Sequence, residues 1–64
     1  MEIIRKALNE FREGHMSYYP ENAEHEKKCA EIVSHMSDKD REVFELAKEF
    51  YFNGQRDAWE RTVD

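Results

Sequence analysis

One cysteine, one proline and two glycines in 64 residues leave little of what staples or bends a small protein. Cys29 alone excludes an intramolecular disulfide, the usual support of small secreted domains. Two glycines cannot build a phosphate-cradling loop, and no P-loop, GxSxG, HExxH or dinucleotide fingerprint occurs. The longest unbroken apolar run is Phe50-Tyr51-Phe52, far short of the roughly 20 residues of a membrane span. The opening Met1-Glu2-Ile3-Ile4-Arg5-Lys6 is mixed in character, so no signal peptide is expected. The expectation is a soluble, cytoplasmic protein.

Positive charge is also in deficit. Ten basic residues stand against fifteen acidic ones, a net charge of −5. Phosphate neutralisation by Lys and Arg supplies most nonspecific nucleic-acid affinity, so a general DNA or RNA binder is not expected. The excess lies in residues 21–36 and 37–64, whereas residues 1–13 hold three acids and three bases. A chain this short buries only about 60% of its unfolded surface, so neither a second domain nor a deep pocket of a few hundred Å3 is expected.

What is present is helical pattern. Ile3, Ile4, Ala7, Leu8 and Phe11 fall in one arc of about 140° at helical spacing, predicting a helix over about residues 2–13. Gly14 then suits a left-handed C-cap. Pro20 fits the start of a second helix over about 21–35, whose poorer stripe holds Cys29, Ile32, Val33 and Met36. Tyr18 and Tyr19 are expected to lie across the bundle end with their rings half covered. Ser37 caps a third helix over about 38–62, with an acid at its N3 position. Its apolar face carries Val43, Ala47, Phe50, Tyr51 and Ala58, bordered by Phe44 and Leu46. Asn53-Gly54 is a possible break. Because Gly54 projects onto the apolar face, a continuous helix with a close neighbour is favoured there. No strand alternation, repeat or sustained heptad appears. The fold class is therefore all-α: a small three-helix bundle, or an open helical hairpin plus a long C-terminal helix, as a monomer or a dimer.

His25 and Cys29 lie four residues apart and could share a metal ion. A structural zinc site needs two more ligands, and a half-buried histidine beside a core cysteine is the plainer reading. No catalytic set and no cofactor are expected. On a continuous third helix Phe52 and Trp59, seven residues apart, project away from the main stripe near Lys48 and Arg56. An apolar pair rimmed by charge has the composition of a protein contact. If Gly54 breaks the helix, Trp59 returns to the core.

Ser37-Asp38-Lys39-Asp40-Arg41-Glu42-Val43-Phe44-Glu45-Leu46, followed by Gly54, resembles the opening of sigma-factor region 4 and of LuxR-type helix-turn-helix domains. The resemblance covers under a third of the chain and implies a DNA-binding regulator. Gln55-Arg56-Asp57-Ala58-Trp59 departs from the families' second helix, and no recognition helix follows in these residues. The expected function is a non-enzymatic acidic interaction module of the small-regulator or inhibitor type found among phage and accessory proteins. It would bind a protein partner, or itself, through Phe52, Trp59, Arg56 and Lys48. The alternative is an acidic mimic of nucleic acid that inhibits a DNA-binding protein, and a helix-turn-helix regulator is a lesser one. No membrane or small-molecule substrate is expected.

Overall fold

The fold is a small all-α bundle. The computed structural model describes the backbone of residues 2–63 and their side chains, apart from those of Arg56, Glu60, Thr62 and Val63. Four helices follow one another: α1 (Glu2–Met16), α2 (Glu21–Ser34), α3 (Asp38–Phe52) and α4 (Arg56–Val63).

In α1 the expected stripe forms the centre of the core, with Ile4, Ala7 and Leu8 fully buried and Ile3 and Phe11 partly so. The helix does not stop at Glu13. It runs through Gly14 to Met16, and its end is closed by Ser17, whose Oγ donates to the Glu13 carbonyl at 2.6 Å. The Ser17 N–H also donates to the Gly14 carbonyl at 3.3 Å. Gly14 is thus no left-handed cap. It faces α2 so closely that an added Cβ would stand 3.1 Å from the Cβ of His25 and 3.4 Å from the Asn22 carbonyl oxygen. The missing side chain lets the two backbones approach.

α2 begins after Pro20, whose carbonyl accepts from the N–H groups of Ala23 and Glu24 at 3.1 and 3.3 Å. Of this helix only Cys29 is buried, with Ile32 and Val33 partly covered, and Met36 enters the core from the following turn. The weak stripe is compensated by polar ties. Cys29 Sγ donates to the Ala7 carbonyl at 3.3 Å, and His25 Nδ1 donates to Glu10 Oε2 at 2.6 Å.

Ser37 caps α3 as its sequence implies, its Oγ accepting from the Asp40 N–H at 3.1 Å. The buried residues are Phe44 and Ala47, while Leu46 is exposed. The core-facing arc is therefore turned toward Phe44 and away from Leu46. Arg41 Nη2 reaches the Val33 carbonyl at 3.4 Å, tying α3 to the last turn of α2, where positive charge complements the helix dipole.

The helix does not continue through Gly54. Gly54 adopts φ +73°, its N–H donates to Tyr51 at 3.1 Å, and the Gln55 N–H donates to Phe50 at 2.9 Å. These two bonds are the Schellman pattern that ends a helix on a left-handed glycine. The chain then turns into α4, and Trp59 comes back onto the core at 7% exposure. Its ring lies 6.1 Å from that of Tyr51, with the Arg12 guanidinium 5.7 Å from its centroid.

Candidate functional site

The turn at Gly54 separates the pair that a continuous helix would align. Phe52, the last residue of α3, stays 64% exposed, whereas Trp59 is a core residue. The expected Phe52–Trp59 contact face is therefore not formed. The reason is the left-handed cap, which reverses the side on which α4 presents its apolar residues. The side chain of Arg56 lies outside the described residues.

Phe52 instead belongs to an aromatic end built by α1 and α3. Its ring packs edge-on against Phe11 at 5.5 Å, His15 at 5.9 Å and Tyr51 at 6.0 Å. Phe11 and His15 each meet Tyr51 at 5.4 Å. Beside His15 and the loop that follows, Met16, Tyr18 and Tyr19 are 69%, 88% and 81% exposed. The tyrosines do not lie across the bundle end as half-covered lids. Asn22 donates its N–H to the Tyr18 carbonyl at 3.1 Å, so the loop backbone is tied to α2 while the rings point into solvent.

Lys48 lies on the other side of Phe11. Its ammonium is 3.3 Å from Glu45 Oε1, 4.9 Å from the Phe44 ring centroid and 5.7 Å from that of Phe11. It closes one wall of a half-open cleft of about 440 Å3 between α1, α2 and α3. The cleft is half open to solvent rather than the deep, enclosed pocket that so short a chain is not expected to hold. The weak apolar stripe of α2 leaves space against α3 that α1 does not fill.

The His25–Cys29 pair is directed toward α1 rather than toward a shared ion. Each has a partner there, Glu10 for His25 and the Ala7 carbonyl for Cys29. No group of three or more His, Cys, Asp or Glu residues is placed to hold a metal among the described residues. Burial pushes the Cys29 thiol up from its ordinary value; the nearby Lys48 charge opposes this, and Glu10, Glu45 and Glu26 reinforce it. A neutral thiol bonded to a carbonyl is a packing group, not a ready nucleophile.

Sequence reasoning placed Phe52 at the surface but missed its neighbours. Phe11 and Phe52 are forty-one residues apart in the chain, and no local periodicity joins them. The exposed Met16 and Tyr18 stand in a segment that reads as an ordinary loop. No family model matches the chain, and no curated protein or solved structure shows significant similarity to it.

Proposed function

We propose that this chain is a non-enzymatic interaction module that binds a protein partner through the aromatic end of α1 and α3. The supporting observation is Phe52, held edge-on by Phe11, His15 and Tyr51 yet 64% exposed, together with the exposed Met16, Tyr18 and Tyr19 that follow His15 in the chain. All four are large apolar or aromatic side chains left exposed, the kind of side chain that serves in protein contacts. Rings packed by neighbours lose little side-chain freedom on binding, which favours them as anchors.

The test is affinity capture from a lysate with the chain and with its Phe52→Glu variant, after circular dichroism has shown equal helicity. Proteins retained by the first and lost by the second support the assignment. An identical retained set with Phe52→Glu and with Met16→Glu removes this end from the contact.

A second reading has its own support. Asp38, Glu42, Glu45 and Glu49 run along α3 at four- and three-residue spacing and surround one shallow depression. Such a row can face a basic, nucleic-acid-binding protein. Arg41 and Lys48 pair with Asp38 and Glu45 at 4.0 and 3.3 Å, which weakens the row. Binding through it would fall steeply between low and high salt, and salt-independent binding rejects it.

A further inference from the structure

The aromatic end continues along α3 beyond its rings. Phe52 closes that helix, and the outer face of the same helix carries Asp38, Glu42, Glu45 and Glu49. At helical spacing these five side chains fall within one arc of about 80°, with Glu49 one turn before Phe52. All five residues are exposed, and Leu46, 49% exposed, flanks the row. From Asp38 to Phe52 the strip is one unbroken helix, about 21 Å long at 1.5 Å per residue.

The bases beside this strip do not balance it. Lys48 lays its ammonium on the Phe44 and Phe11 rings, 4.9 and 5.7 Å from their centroids, and pairs with Glu45 at 3.3 Å. Arg41 reaches back to the Val33 carbonyl at 3.4 Å and to Asp38 at 4.0 Å. Glu42 and Glu49 have no ion pair among the described residues. No basic residue stands in the last turn of α3, so the negative end of the helix dipole, beside Phe52, is not offset from within that turn. Along α3 the exposed ring is therefore bordered by negative charge.

We infer that the partner segment seated on this end is a basic amphipathic helix, which packs an apolar side chain on Phe52 and lays lysines and arginines along Glu49, Glu45 and Glu42. The inference rests on the aromatic end being the contact. The apolar packing on Phe52 holds the segment, while the opposite charges steer its approach and fix its direction along α3. An acidic segment meets like charge there, and a second copy of this chain would set the acidic row against itself.

The experiment titrates the 15N-labelled chain with a synthetic helical peptide of about fourteen residues, leucines on one face and lysines and arginines on its flanks. Two controls keep its length: one replaces every base by glutamate, the other every leucine by glutamine. The basic amphipathic peptide is expected to give saturable shifts at the backbone amides of Glu45, Glu49 and Phe52. Binding is expected to be about tenfold weaker for each control, and about threefold weaker for the basic peptide when Glu49→Gln is introduced. Equal affinity for the glutamate peptide, with shifts still at Phe52, overturns the inference while leaving the aromatic end as a contact. Equal affinity for the leucine-free peptide overturns it as well, since charge alone then accounts for the binding. No saturable shift at Phe52 below about 1 mM of any peptide also overturns it, and the aromatic end is then judged by the Phe52→Glu capture alone. These three outcomes are read on the unsubstituted chain, so a variant that fails to fold does not obscure them.

Discussion

Gly14 of α1 and His25 of α2 stand so close that a Cβ on the glycine would lie 3.1 Å from the histidine Cβ. The neighbour is not the far end of a flexible side chain but an atom fixed to the α2 backbone, and the Asn22 carbonyl is at 3.4 Å behind it. Replacing a helical glycine by alanine usually stabilises by about 1 kcal/mol. At Gly14 the added methyl must push α2 away from α1 and lengthen the 2.6 Å His25–Glu10 contact. Gly14→Ala is therefore expected to lower stability by about 1 kcal/mol through overpacking, read from urea denaturation. A higher midpoint would mean that the hairpin relaxes freely at this position.

Gly54 presents the opposite case. Nothing lies within 4 Å of a Cβ added there, but its φ is +73°. Gly54→Ala meets no neighbour and pays only for the left-handed backbone, about 1–2 kcal/mol. Gly54→Asn, better suited to that region, should cost clearly less. Equal losses for the two substitutions would show that backbone conformation is not what this glycine provides.

The two glycines explain much of what could and could not be read from the chain. Sequence position suggests Gly14 as a cap and Gly54 as a close-approach residue; the structure assigns them the reverse roles. Both readings follow from local pattern, since Gly14 ends the apolar stripe and Gly54 falls on one. The roles are decided by what lies opposite. His25 and Asn22 stand against Gly14, while Gly54 faces open space. The stripe of Ile4, Ala7 and Leu8 and the Ser37 cap were legible because each depends on residues within about two turns. The cleft was not, because its walls come from three helices whose lining residues are far apart in the chain.

Trp59 and Phe52 should respond very differently to truncation. Trp59 is 7% exposed and packs on Tyr51 and Arg12, so Trp59→Ala leaves a cavity costing about 3–5 kcal/mol. A 64-residue domain is expected to hold only about 3–10 kcal/mol in total. The variant is expected to lose most of its cooperative thermal transition in circular dichroism. Phe52→Ala, at an exposed ring, should cost about 1 kcal/mol or less. Loss of the transition in Phe52→Ala would make that ring a structural support rather than an available anchor.

Cys29 gives a test by pH. Burial raises its thiol above the ordinary value of 9.0, so the folded chain favours the protonated form more than the unfolded chain does. For an acid with a raised folded value, the stabilising contribution is complete below the unfolded pKa. It is lost as pH rises through the folded one. Stability is therefore expected to be flat in this group through neutral pH and to fall above about pH 9. The same group should be slow to react: in the folded chain the thiol donates to the Ala7 carbonyl at 3.3 Å, so little thiolate is present and the sulfur is covered. Disulfide-reagent labelling at pH 8 should then follow the population of unfolded chain, accelerating as urea is added. In Cys29→Ala the alkaline fall in stability should be smaller than in the unsubstituted chain. Rapid labelling without urea would place the sulfur at the surface of the cleft, and an unchanged alkaline slope in Cys29→Ala would assign that slope to other groups.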